Sequence, residues 1–218
     1  MDNIFIIIPA YNECKNIGDV LSKVKKKYSN IIVVDDGSKD RTFETSKSYG
    51  VTVLRHIINL GKGAALKTGC EYALKKGANK IVVIDSDGQH KPQDIPRFLK
   101  ELDKYDVVLG YRELDKNMPF ILKFGNSFIN FTTRVLYNIS VKDTQSGFRA
   151  FTSDAYKKIK WASVGYSVES EMIANIGKSK LKFKEIPIET IYNDKYKGTT
   201  PLDGVKIVIN MFLWRLRR

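Results

Sequence analysis

The sequence predicts an α/β fold: an open, mostly parallel sheet flanked by helices. Three observations lead to it. Short runs rich in Val and Ile recur at residues 4–8, 31–34, 51–54, 81–84 and 107–109. Such runs suit strands buried on both faces of a parallel sheet. Segments with helical spacing alternate with them, which implies right-handed crossovers. Three of the runs end in polar clusters, and in open α/β sheets ligands bind beyond the carboxyl ends of the strands.

The elements follow in order. The first run, IFIII, leads into Pro9, Ala10, Tyr11, Asn12 and Glu13. Ile17, Val20, Leu21 and Val24 then share one helical face, with Lys23 and Lys25 to Lys27 mostly on the other. The second run ends in Asp35, Asp36, Gly37 and Ser38. After the third, Ala64, Ala65, Thr68, Tyr72 and Ala73 form the buried face of another predicted helix. The fourth run ends in Asp85, Ser86 and Asp87, with Gln89 two positions on.

Beyond residue 110 the pattern changes. Residues 118–140 are apolar and aromatic-rich, interrupted by Gly125 and Arg134. DTQSGFRAF (143–151) follows, then a predicted helix over 169–176 and a strand-like KFKEIPIE (182–189). The tail from 205 to 218 gathers Val205, Val208, Ile209, Phe212, Leu213 and Leu216, and closes with Trp214, Arg215, Arg217 and Arg218. No linker or repeat divides the chain. One domain over 1–200 is expected, with 201–218 as a separate amphipathic helix.

Composition bounds the function. The 218 residues suffice for one substantial core. Lys and Arg outnumber Asp and Glu by 37 to 24, a net charge of +13. That excess favours an anionic partner, whether nucleic acid, a membrane surface or a phosphorylated ligand, unless it only solvates the surface. Cys14 and Cys70 show no CxxC spacing, so neither a zinc site nor a disulfide framework is expected, and a reducing cytosol fits them. The chain enters a strand at once, so no signal peptide is expected. No apolar run reaches the ~20 residues of a membrane span.

Several phosphate and metal loops are excluded. GxxxxGK[ST] does not occur. GKGAALKTG (61–69) has Leu66 where a dinucleotide loop requires its third glycine. As a calcium loop, DSDGQ would need glycine sixth and glutamate twelfth, but Gly88 is fourth and Pro96 twelfth. Asp85, Asp87 and Gln89 do supply hard oxygen ligands on one side of an extended chain. They suit Mg²⁺ or Mn²⁺ on a diphosphate, or else they form an ordinary turn. In VVDDGSKDRT, a carboxylate can accept hydrogen bonds from a base or ribose, while Ser38 or Asp40 caps the next helix.

IPAYNE, VVDDGSKDRT, GKGAAL, IDSDGQH and DTQSGFRAF occur here in one order. In that order the chain resembles family 2 glycosyltransferases with the GT-A fold, over roughly residues 4–210. The resemblance is strongest to the dolichyl-phosphate mannose synthase and polyprenyl-phosphate glycosyltransferase branch. It implies a nucleotide-binding half merged with an acceptor-binding half. It implies that Pro9, Tyr11, Glu13 and Asp35 line a nucleoside pocket, and that Asp85, Asp87 and Gln89 hold Mg²⁺ or Mn²⁺ on the donor diphosphate. Arg112 and Arg134 would meet phosphates of donor or lipid acceptor. Ser146 and Gly147 would shape the floor of the sugar site. Glu169 and Glu171 match an acidic patch of the family, and Lys195 and Lys197 fall where basic residues grip phosphate.

The implied reaction is inverting displacement at the anomeric carbon of GDP-mannose or a UDP-hexose. A lipid-phosphate acceptor is already anionic and needs no strong base. A hydroxyl acceptor, as in extension of a surface glycan, needs a carboxylate such as Glu171. A sugar nucleotidyltransferase would carry GxGxR where IPAYNE stands. A nucleic-acid module is disfavoured by the acidic strand ends. Trp214 and the terminal arginines suit an anionic headgroup layer, so a peripheral position on the cytoplasmic face of a membrane is expected, the alternative for this segment being core packing or a dimer contact.

Overall fold

The computed structural model describes residues 3–112, 120–165, 167–189 and 201–216, with backbone alone for 120–126 and 201–203. Lys195, Lys197, Arg217 and Arg218 lie outside the described residues. β1 (Ile4–Ala10) pairs in parallel with β2 (Ile31–Asp35) and β4 (Lys80–Val83), and β2 with β3 (Thr52–Arg55). Beyond β4 one strand runs against the rest. β6 (Arg149–Thr152) runs antiparallel between β4 and β5 (Val107–Arg112), and β7 (Phe183–Ile188) pairs in parallel with β5. The sheet order is β3-β2-β1-β4-β6-β5-β7.

Alternate strand residues face two cores, as the pleat requires. Ile6, Ile8, Val33, Val82 and Val108 pack on one side with α1 (Ile17–Val24) and α4 (Ile95–Glu101), which a 3₁₀ turn at Pro92–Asp94 introduces. Ile7, Val34, Val83 and Leu109 face the other. There they meet α3 (Lys62–Lys75), α5 (Phe120–Tyr137), α6 (Ser153–Ile159), α7 (Val168–Lys178) and α8 (Pro201–Leu216). α2 (Thr42–Ser48) packs against α1.

All five Val- and Ile-rich runs form strands, as does 182–189; β2, β3 and β5 run on into polar residues, while β4 stops at Val83, short of Asp85. β3 departs from the expected two-sided burial: Val53 and Leu54 are only partly buried because β3 is the edge strand. The buried face of α3 also differs. Ala65 and Ala73 are buried as expected, but with Gly63, Leu66, Gly69 and Cys70; Ala64, Thr68 and Tyr72 stay partly exposed. A Cβ at Gly69 would stand 2.5 Å from Cγ2 of Ile7. The α3 backbone therefore rests directly on β1, an approach that small residues permit.

α8 packs one side in the core and leaves the other exposed. Trp214 is no headgroup residue; it is 7% exposed and points inward with Ile207 and Met211. The Tyr137 hydroxyl donates to the Met211 carbonyl, and Lys178 Nζ donates to that of Trp214. The opposite side of α8 exposes Val205, Ile209, Phe212, Leu213 and Leu216. Neighbouring α5 exposes Phe128, Phe131 and Val135. No helix among the described residues is long and apolar enough to cross a membrane.

Candidate active site

The reversal at β6 brings the site together. Because β6 starts beside the end of β4, with Arg149 opposite Val83 and Leu109, the preceding 143–147 segment lies over the carboxyl ends of β4 and β5. Gly147 packs against Asp85 so closely that a Cβ there would meet Oδ2 at 2.3 Å.

Asp85 is the centre of a charge cluster. Its Oδ1 lies 2.7 Å from Lys62 Nζ, and its Oδ2 lies 3.6 Å from His90 Nε2. Lys62 Nζ also lies 2.8 Å from Oε1 of Glu169. Burial by itself disfavours a charged Asp85, but the Lys62 and His90 charges outweigh it and hold the carboxyl below its usual range. Burial likewise opposes a charged Lys62, and the two carboxylates overcome it, raising its pKa. Asp87 goes the other way: burial and the charge on Asp85 raise its pKa. Its Oδ1 accepts the backbone amide of Gln89 at 3.0 Å, and Gly88 takes a φ of +75°. DSDGQ is thus a turn and a carboxylate pair at once.

The donor set suits a hard divalent cation. Two carboxylates of one turn repel each other, an amide oxygen can stand beside them, and the buried Asp85 Oδ1 meets the Lys62 ammonium at 2.7 Å. Among the described residues no group of three or more His, Cys, Asp or Glu encloses a metal. Coordination here would be completed by substrate oxygens.

At the end of β2, Asp35 is fully buried; its Oδ1 accepts the Ser38 amide, and its Oδ2 lies 3.0 Å from Arg55 Nε. Arg55 in turn lies over the Phe43 ring. Asp36 plays a different part. It accepts the amides of Leu60 and Gly61 and meets His56 Nδ1 at 2.7 Å, fixing the loop that enters α3. Asp40 accepts the amides of Cys14 and Thr42, tying the IPAYNE loop to α2. Beside them, Pro9 is buried in β1, Tyr11 is 41% exposed, and Glu13 accepts from Asn16 Nδ2.

Arg112, at the end of β5, forks onto Asp143: Nε lies 2.7 Å from Oδ2 and Nη2 3.2 Å from Oδ1. Burial disfavours the Asp143 charge, but Arg112 outweighs it and lowers the pKa. Buried Arg149 donates to the carbonyls of Thr144, Ser146 and Glu169, so it braces the same segment from below. Ser146 is buried, and its hydroxyl meets no hydrogen-bond partner among the described residues. Glu171 accepts the amides of Ala162 and Ser163. Arg134 is exposed on α5 beside Phe131 and Val135, and no contact among the described residues links it to Asp85, Asp87 or Arg112.

Sequence alone does not single out Lys62, His90 or Asp143. For Lys62 a signal existed, a lysine between two glycines at the mouth of a helix. For His90 and Asp143 it lay only in the motifs that contain them.

Residues 5–160 match the family described as Glycosyl transferase family 2. The chain belongs to glycosyl transferase family 2. It is 35% identical to the UDP-N-acetylglucosamine–dolichyl-phosphate N-acetylglucosaminyltransferase of Methanococcus voltae, over 98% of this chain and 96% of that one. It is 43% identical to the uncharacterized protein MJ1222 of Methanocaldococcus jannaschii, over 99% and 93% of the two chains. In fold it resembles glucosyl-3-phosphoglycerate synthase from Mycobacterium tuberculosis, solved with Mg²⁺ and UDP, with a TM-score of 0.78 at 21% identity over 98% of this chain and 79% of that one. This family 2 enzyme is a glycosyltransferase of GT-A fold, and every polar strand end described above falls within the matched residues, whereas Glu169 and Glu171 lie beyond them.

Proposed function

We propose that this chain transfers a sugar, with inversion, from a nucleotide sugar to a polyprenyl or dolichyl phosphate at a membrane surface, with Mg²⁺ or Mn²⁺. The observation that carries the acceptor choice is the state of the two glutamates. Glu171 is occupied by two backbone amides, and Glu169 is charge-paired with Lys62 through Oε1, while its Oε2 is buried and accepts no hydrogen bond among the described residues. A hydroxyl acceptor needs one of them as a base; a lipid phosphate, already anionic, needs neither. The Methanococcus voltae relative, whose name states a dolichyl-phosphate acceptor, supports the same reading.

A divalent ion held by Asp85, Asp87 and Gln89 would supply Lewis-acid neutralisation of the leaving diphosphate. The chain's own groups do the rest. Asp35, buried and charge-balanced by Arg55, offers a fixed acceptor for the nucleoside. Lys62 holds a positive charge beside Asp85, where negative charge builds on the diphosphate. Arg112 is set by Asp143 in one orientation, so a phosphate meets a guanidinium that need not reorganise.

The outward faces of α5 and α8 suit the membrane role. Eight large apolar side chains are exposed on two packed helices, with Arg134, Lys206 and Arg215 exposed beside them. Apolar groups with cations at their edge fit an anionic headgroup layer, and the cytoplasmic leaflet is the surface this charge pattern fits. Purified protein, Mg²⁺ or Mn²⁺, a panel of UDP- and GDP-sugars and a polyprenyl phosphate test the proposal. Sugar-phosphate-lipid product is expected from at least one donor; transfer only to hydroxyl acceptors would overturn it.

A further inference from the structure

We infer that Glu171 is a positioning residue: through the backbone of residues 161–165 it fixes Lys62 between Asp85 and Glu169, and it is not a base. The inference rests on the proposed glycosyltransfer and gives the GKG turn its purpose.

The chain of contacts is continuous. The two oxygens of Glu171 each accept one backbone amide, from Ala162 at 3.0 Å and Ser163 at 2.8 Å. The segment so held grips the start of α3. The Val164 carbonyl accepts the Ala64 amide at 3.2 Å, and Trp161 Nε1 donates to the Gly63 carbonyl at 2.8 Å.

The grip has no slack. A Cβ at Gly61 would stand 2.4 Å from the Val164 oxygen, and one at Gly63 only 2.2 Å from the Ser163 oxygen. Gly61 also takes a φ of +97°, which glycine adopts at no steric cost.

Lys62 lies between these two glycines, and its ammonium reaches both Asp85 and Glu169. Glu169 and Glu171 are both in the first turn of α7. One helix end therefore holds both the strap and the far side of the ion pair. No contact among the described residues links Glu171 itself to Asp85 or Asp87. Its influence on the site runs through backbone, and a lysine on a long flexible stem needs such a frame to stay in one place.

Three variants of the full chain test this. Glu171→Gln sets an amide N–H against one of the strap's own N–H donors. Gly63→Ala disturbs the strap without touching any acid–base group. Lys62→Met removes the charge and leaves the strap.

Calorimetry without acceptor should show UDP- or GDP-sugar binding weakened in all three by about tenfold, the equivalent of one well-placed charged contact. Hydrogen exchange on the ligand-free protein should show faster exchange at Ala64, Ala162 and Ser163 in Glu171→Gln and Gly63→Ala, but not in Lys62→Met. If Glu171→Gln fails to fold, Gly63→Ala against Lys62→Met carries the same comparison.

The inference is overturned if Glu171→Gln keeps normal donor affinity and slow exchange while its turnover collapses. It is also overturned if Gly63→Ala changes neither affinity nor exchange. The exchange measurement needs no ligand. Wild-type protein that binds no nucleotide sugar would therefore defeat the proposed function, while the strap is still judged by its amides.

Discussion

The Cα of Gly147 is the wall against which the Asp85 carboxylate rests; a methyl group there would come within 2.3 Å of Oδ2 and within 2.8 Å of Oδ1. One residue of the DTQSGFRAF segment thus sets the position of the first carboxylate of DSDGQ, 62 residues earlier by the numbering of the two.

Gly147→Ala should therefore act on Asp85 without removing it. The carboxylate must shift away, and it is held on the far side by Lys62. Metal-dependent nucleotide-sugar binding is expected to weaken by roughly tenfold or more, as small displacements in a preorganised site do. Titration with and without Mn²⁺ checks this, and a near-normal melting temperature shows that the fold survives.

Asp143→Asn should cost more in stability. Asp143 is buried, and the change leaves the Arg112 fork without its charged partner. Breaking a buried pair from one side costs about 3 kcal/mol. Urea unfolding should show a loss of that order. Turnover should fall as well, because Arg112 is no longer held in one orientation.

The apolar faces of α5 and α8 can be altered without touching the core. Phe131 and Phe212 are exposed, so Phe131→Asp with Phe212→Asp should leave thermal stability nearly unchanged. Co-sedimentation with anionic phospholipid vesicles should drop at least tenfold, and soluble nucleotide-sugar binding should not move. Wild-type retention that is indifferent to these changes would show that this face does not meet the bilayer.

Asp40 gives a pH dependence. Burial favours its neutral form, but hydrogen bonds from Thr42 and Cys14 outweigh it and hold the pKa at about 2. A folded value below the unfolded one adds stability above about pH 4. That stability is lost as pH falls through about 2. Asp40→Asn should be less stable than wild type at neutral pH, and the gap in urea midpoints should close near pH 2. Asp40 is partly solvent-exposed, so the gap should be small.

Much of this arrangement is legible in the sequence. Val- and Ile-rich runs announce buried strands because little else satisfies two apolar faces. The polar residues just beyond them announce the ligand end. β6 was not legible: RAFT is four residues long and carries Arg149, whose charge is satisfied only by carbonyls that the fold brings to it. Nor could periodicity orient α8, which is apolar around most of its circumference. Only packing chose Ile207, Met211 and Trp214 as its inner side. Lys62 escaped because its partners stand 23 and 107 residues further along the chain.

The placement of β6 also governs the order in which the chain can fold as it leaves the ribosome. β1 to β4 complete a four-stranded parallel unit from the first 83 residues. β5 comes next off the ribosome, yet both of its neighbours, β6 and β7, are still unmade. From residue 112 to residue 149 an apolar strand and the α5 segment must wait without a sheet to join. Synthesis at roughly 5–20 residues per second makes that wait several seconds. During it β5 has no partner strand, and an unpaired strand edge is open to pairing with another chain.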